Sequence, residues 1–304
     1  MDSTTFQHRV SGQHSLFVRR WLPPGRAQAV VQIIHGMAEH GGRYGRLAQA
    51  LTAAGYAVYA ADLPGHGRSV RSPDELGHFS HWNEVLAGLN SLRGHIEQEL
   101  RNLPLFMLGH SMGSFLLQDY LVEHGRGLQG AVLSATTGDM GALRAVGLRL
   151  VQLESLWFGL RHRSALAETL SFKDFNKKFK PTRTAFDWLS RDALEVDKYL
   201  ADARCGFRCS CALWMELMRA GAGLGDPQRL ARIPQTLPVL MIAGSEDPVT
   251  QGEKGPRALE RHYRAANLRR VELRMYEGAR HELLNETCRE TVTRDLLEWL
   301  RSCT

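Results

Sequence analysis

Short apolar runs separated by helix-length stretches constrain this chain more than any other feature. "AVVQIIHG", "YAVYAADL", "LFMLGH" and "GAVLSA" fall within the first 137 residues and are bounded by Gly, Pro or Asn. That is how strands buried on both faces read. Between them, Tyr44 to Ala54 and Asn83 to Leu100 suit helices. After Thr236 the rhythm returns with "LPVLMIAG", a helix around Gly255 to Ala266, "RVELRMYEG" and a closing helix from Glu286 to Leu300. Strands alternating with helices predict an α/β fold with a mostly parallel central sheet flanked by helices. "TFQHRV" and "SLFVRRWL", on either side of the turn-like "SGQH", predict an antiparallel hairpin that opens the sheet.

Between "GAVLSA" and "LPVLMIAG" about a hundred residues read as helices and loops with no buried strand. The economical organisation is a core of 1–136 and 231–304 interrupted by an inserted helical cap over 137–230. The cap is expected over the C-terminal edge of the sheet, where open α/β sheets bind ligands.

Composition narrows the class. With 43% hydrophobic and 23% charged residues in 304, the chain can bury a large core, and no long disordered segment is expected. No apolar run reaches the roughly 18 residues of a membrane span, and "MDSTTFQHRV" lacks the apolar stretch of a signal peptide, so the expected location is the cytoplasm. The five cysteines are odd in number, and Cys205, Cys209 and Cys211 crowd together, a pattern that predicts free thiols. A net charge of +6 invites nucleic acid, but Gly141 to Lys180 holds eight Arg or Lys against three Asp or Glu, a balance of +5. Nearly all the excess therefore lies in one segment, not on a nucleic-acid-binding module. That segment also carries "LRLVQLESLWFGL", a mixture of bases and large apolar residues that suits transient contact with a lipid surface. A solvated basic face on an insertion fits the same composition.

"GHSMG" supplies a chemical candidate. At average glycine and serine usage, G-x-S-x-G arises by chance in roughly one chain of this length in ten, so the motif alone decides nothing. Its context does more. Ser111 lies where a buried strand must turn sharply into a helix, and small residues at Gly109 and Gly113 allow that turn while exposing the hydroxyl at the sheet edge. A serine nucleophile needs a base, and the base needs an orienting acid. Asp247, in "SEDPVT" after one later strand, and His281, in "ARHELLNE" after the next, complete the order Ser, acid, His that this arrangement requires. Asp247 is preferred over Glu246 because Pro248 fixes the backbone after it and its shorter arm suits a preset loop. The backbone N–H groups of Met112 and Met37 are the natural oxyanion donors. "HELLN" is a near miss for the zinc motif H-E-x-x-H, with Asn285 where the second ligand belongs, and no metal or organic cofactor is expected.

"HGMAEHGGRY", "DLPGHGRS", "GHSMG", "GSEDPV" and "ARHELLNE" together resemble the serine hydrolases of the α/β-hydrolase fold, in the branch of monoacylglycerol lipases and lysophospholipases. "RTAFDWLSRD" is similar to a segment common in bacterial members. The resemblance implies Ser111 as nucleophile, Asp247 as acid, His281 as base and Met37 and Met112 as oxyanion amides. It also puts Glu39 and Arg43 near the glycerol head; on residue type alone they read as a loop ion pair. The chain departs from the pattern at Met37 and Ala38, where these lipases usually carry smaller residues, which bears on the shape of the pocket. The implied activity is hydrolysis of single-chain lipid esters. The rivals are a broad short-chain carboxylesterase and, from another class, a non-catalytic ligand-binding protein. Dehalogenases and epoxide hydrolases of this fold use an Asp nucleophile, whereas position 111 is Ser.

Overall fold

The structure, a computed structural model, describes residues 3–10, 15–138, 140–141, 143–172 and 174–304. The turn expected over 11–14 lies outside the described residues, as do Met1, Asp2, Asp139 and two residues of the basic segment, Ala142 and Lys173. On either side of that turn β1 (Thr4–Arg9) and β2 (Ser15–Trp21) pair antiparallel. β3 (Ala29–Ile34), β4 (Tyr56–Ala61), β5 (Leu105–His110), β6 (Gly130–Ser134), β7 (Val239–Gly244) and β8 (Val271–Tyr276) complete an eight-stranded sheet in the order β1-β2-β4-β3-β5-β6-β7-β8. β2 meets β4 antiparallel, and every later pairing is parallel.

Every residue of β3 to β7 is buried, the physical reason these runs lack a polar alternation. One face is covered by α2 (Trp82–Glu99) and α3 (Met112–His124), whose Leu89, Leu116 and Leu117 share a core with Val30 and Met107. The other is covered by α1 (Gly45–Ala53) and the last helix (Arg289–Cys303), whose Leu51 and Trp299 pack with Val31, Phe106 and Leu240. Between β6 and β7 the chain forms α4 (Leu143–Phe158), α5 (Ala165–Phe172), α6 (Ala193–Ala201), α7 (Cys211–Ala220) and α8 (Pro227–Leu230). α9 (Lys254–Ala265) joins β7 to β8, and the last helix becomes α10.

The expected start of α10 at Glu286 is corrected by three residues. Glu286 stays outside the helix because its buried carboxylate accepts the backbone N–H groups of Arg191, Arg280 and Thr287. Tertiary hydrogen bonds here outweigh the usual preference for an acidic residue in a helix's first turn.

Candidate active site

β3 and β5 are neighbours, and the chain leaves β3 toward β4 and β5 toward β6, in opposite directions across the sheet. Such a switch point opens a crevice at the C-terminal strand ends. The loop after β3 carries Met37 and the turn after β5 carries Ser111, which sets these two features side by side.

Ser111 has φ 52° and ψ −121°, a conformation non-glycine residues rarely adopt. Its neighbours explain how the turn closes. A Cβ on Gly109 would overlap the carbonyl of Gly113, and one on Gly113 would overlap the carbonyl of Ile34. The Ser111 N–H donates to the Ser134 carbonyl at 2.9 Å, anchoring the elbow to the end of β6. Although Ser111 occupies the N-cap of α3, its hydroxyl makes no capping bond. Instead it donates to His281 Nε2 at 3.0 Å.

His281 must reach back from the end of β8 to the end of β5, three strand spacings or roughly 14 Å. Its Nδ1 lies 2.9 Å from Asp247 Oδ2. A carboxylate can only accept, so Nδ1 carries the proton and Nε2 presents its lone pair to Ser111. Asp247 is fully buried, and its other oxygen accepts the Val249 N–H at 2.9 Å. Glu246 points away and meets the exposed Lys178 at 3.5 Å. Burial alone would lower the His281 pKa, but Asp247, with help from Glu282 and Glu39, more than offsets that and leaves it raised.

The His281 loop is held from outside the sheet. His281 N–H and Glu282 N–H donate to the carbonyls of Trp188 and Leu189, and the Trp188 ring lies 5.1 Å from the imidazole. The Ser190 hydroxyl donates to the Asn285 carbonyl, and Arg280 donates to the carbonyls of Asp187 and Ser190. Residues 187–191, between β6 and β7, thus run along the histidine loop. They belong to "RTAFDWLSRD", a motif legible in the sequence whose contact with His281 was not.

The Met37 loop is fixed with similar thoroughness. Leu63 N–H donates to His35 Nε2, so His35 Nδ1 donates to the Gly36 carbonyl at 2.7 Å. Gly36 N–H donates to Glu39 Oε1, and the Ala38 carbonyl accepts from Gly206 N–H and the Tyr199 hydroxyl. Among the described residues neither the Met37 nor the Met112 N–H has an acceptor, while both residues line the cavity beside Ser111.

Glu39 and Arg43 are indeed ion-paired, at 2.8 Å. Glu39 lines the main cavity; Arg43 borders a second, much smaller pocket with Tyr44, His110 and Glu282. Burial works against the Glu39 charge, yet Arg43 and the neighbouring histidines hold its pKa down to about 2. Glu282, unread in the sequence beside its histidine, takes both guanidinium nitrogens of Arg43 at 2.5 and 2.7 Å. His110 is pushed down to about 4 by burial and by His281, so it is neutral at pH 7.

From this polar end a cavity of about 410 Å³ runs between Met112, Phe115, Leu217 and Met218 toward Val146, Leu150 and Leu170 of α4 and α5. Those last three are also exposed on the outer surface, so the apolar wall continues to solvent. All five cysteines are free. His40, Asp202 and Cys205 cluster closely enough to suggest a cation. The donor set does not fit one: Gly42 N–H donates to His40 Nδ1, so Nε2 carries the proton that points at Asp202. The zinc near miss fails as well, because Asn285 bonds Glu282 and His281 is committed to Asp247 and Ser111.

Among known proteins, a family described as serine aminopeptidase, S33, matches residues 25–288. The monoacylglycerol lipase of Mycolicibacterium smegmatis is 30% identical, across 99% of both chains. The monoglyceride lipase of Mus musculus is 30% identical, across 91% of this chain and 82% of its own. A thermostable carboxyl esterase from Bacillus coagulans, solved with glycerol, superposes with a TM-score of 0.89 over 100% of this chain and 99% of its own. At 23% identity that last likeness shows the fold alone.

Proposed function

The chain belongs to this serine hydrolase family of the α/β-hydrolase fold, and from that premise we propose that it hydrolyses single-chain lipid esters, monoacylglycerols or lysophospholipids, through an acyl-enzyme on Ser111. It is a carboxylic ester hydrolase. The observation that carries the substrate class is the cavity: polar at Ser111, apolar along its length and open to solvent beside α4. Its volume of about 410 Å³ lies within the range for small-molecule pockets.

In this reading His281 Nε2 takes the Ser111 proton as Oγ attacks the ester carbonyl, and the Met37 and Met112 amides hold the developing oxyanion. The tetrahedral intermediate collapses, and His281 passes the proton to the departing alcohol. Water then enters, gives a proton to His281 and releases the fatty acid by the reverse sequence. Asp247 holds the imidazole in the required tautomer and stabilises its charged form. Glu39 lines the cavity wall, and this reading puts it near the glycerol head of the leaving alcohol.

The name of the matched family raises peptide hydrolysis as an alternative. An aminopeptidase holds a free α-ammonium with an unpaired carboxylate. Each of the three carboxylates lining this cavity is bonded to a guanidinium, Glu39 and Glu282 sharing Arg43 and Glu168 pairing with Arg208, so none is left without a cationic partner.

The insertion, proposed as a cap over 137–230, supports a lipid-surface role. Val146, Leu150, Leu153 and Trp157 recur at helical spacing on the outside of α4, with Trp157 85% and Leu156 80% exposed. Exposed Arg149 and Arg161 lie on the same stretch. We assign this face to transient contact with anionic lipid. Among the described residues no helix is long and apolar enough to cross a membrane.

A fluorophosphonate probe tests the nucleophile. Labelling of the native protein and none of Ser111→Ala is expected; labelling that persists in the variant overturns the assignment.

A further inference from the structure

Arg43 stands between two loops that the proposed chemistry must keep in register. One of its nitrogens donates to Glu39 at 2.8 Å, in the loop carrying the Met37 amide. Both terminal nitrogens grip Glu282, the residue after His281. The guanidinium also lies 4.8 Å from the Tyr199 ring, which closes it off from the insertion side. Bidentate arginine–carboxylate pairs fix orientation as well as charge. Glu39 and Glu282 are buried and the Arg43 side chain is only 11% exposed, and two carboxylates against one guanidinium leave one net negative charge beside the imidazole.

We propose that Arg43 and Glu282 are positioning residues for ester hydrolysis: their ion pair locks the Met37 loop to the His281 loop, and the surplus negative charge strengthens His281 as a base. This rests on the assignment of Ser111 as nucleophile and His281 as base. Loop register matters because one oxyanion donor and the base sit on separate loops, and a misplacement of about 1 Å costs up to a hundredfold in rate.

The charged and titratable groups around His281 are few. Asp247 faces Nδ1 from the loop after β7, Glu282 acts from the histidine's own loop and Glu39 from the loop after β3. Arg43 and Tyr44 lie behind Glu39, with Tyr199 against Arg43. The His110 ring lies 5.0 Å from the imidazole, tilted 51° to it. Arg280 turns its charge away toward Phe179 and the Asp187 carbonyl. Glu282 is therefore a negative group that can be removed without touching Ser111, Asp247 or either oxyanion amide.

The test compares Glu282→Gln and Arg43→Lys on two substrates, a monoacylglycerol and 4-nitrophenyl acetate, whose leaving group lacks a glycerol head. Glu282→Gln keeps the shape but removes a negative charge. A fall of roughly tenfold or more in kcat on both substrates, with the acid limb of the pH–rate profile moved to lower pH, is expected. Arg43→Lys keeps the charge and loses the fork. A similar fall in kcat with the limb in place is expected. Losses confined to the monoacylglycerol would make these residues substrate contacts and overturn the proposal. An unmoved limb in Glu282→Gln would remove its electrostatic half. Failure of the parent reading is distinguishable, because 4-nitrophenyl acetate turnover would then survive Ser111→Ala.

Discussion

Helices α4 and α5 and residues 187–206 all lie between β6 and β7, yet the two stretches make opposite kinds of contact. Among the described residues, side-chain hydrogen bonds from α4 and α5 stay within the insertion, as when Arg144 donates to the Met218 carbonyl and Glu168 meets Arg208. Their outer faces leave Leu153, Leu156, Trp157 and Phe158 to solvent. Residues 187–206 bond the core repeatedly: Trp188, Leu189 and Ser190 to the histidine loop, Glu195 to Arg46, and Tyr199 and Gly206 to the Ala38 carbonyl. The first stretch thus leaves an apolar outer face exposed, the face proposed above for lipid contact. Residues 187–206 instead buttress the loops that carry His281 and Met37.

The contrast can be tested from its strongest element outward. Asp247→Asn is expected to lower kcat by about 10⁴-fold, because an amide favours the wrong imidazole tautomer. Glu246→Gln, one residue away and paired only with exposed Lys178, should stay within about twofold. Steady-state kinetics on a soluble ester decides between them, and equal losses would reverse the choice of acid. Next comes the buttress. Glu286→Ala removes the buried carboxylate that takes the part-buried N–H groups of Arg191 and Arg280, costing on the order of 2 kcal/mol in denaturant melts and at least tenfold in kcat. Normal kcat in a destabilised but folded variant would separate the buttress from catalysis.

Proton chemistry gives an effect of intermediate size. A base works only when neutral, and a raised His281 pKa means that it takes its proton at higher pH than an ordinary imidazole. Activity should therefore fall on acidification with a limb above 6.5, the unshifted value. A limb below that value would show that burial outweighs Asp247. The smallest effect belongs to the other stretch of the insertion. Trp157→Ser should change stability by no more than about 0.5 kcal/mol and leave turnover of a soluble ester intact. Co-sedimentation with anionic liposomes at low salt should drop several-fold. Unchanged sedimentation would remove α4 from the lipid surface.

The parts of this arrangement that were legible in the sequence are those set by local chemistry. Strands buried on both faces must be apolar throughout, so β3 to β7 could be read directly. A sharp strand-to-helix turn needs Gly109 and Gly113, so the elbow could be read as well. Pro248 and the shorter arm favoured Asp247, which does bond His281, over Glu246, which points outward. Pairings between residues distant in sequence left no such trace. Glu282 and Arg43 are 239 residues apart, and nothing local marks either as the other's partner. Glu286 reads as the acidic start of a helix until the insertion is placed against it. The contacts of Trp188 and Leu189 run through backbone carbonyls, which every residue type possesses. Side-chain patterns could not single them out.

The most direct measurement is kcat/KM across 1-monoacylglycerols from butanoyl to octadecanoyl. A cavity that runs from Ser111 to the exposed face of α4 should give a value that holds or rises through the long chains. A collapse beyond hexanoyl, with butanoyl ester still turned over rapidly, would contradict the lipid assignment and make the protein a short-chain carboxylesterase.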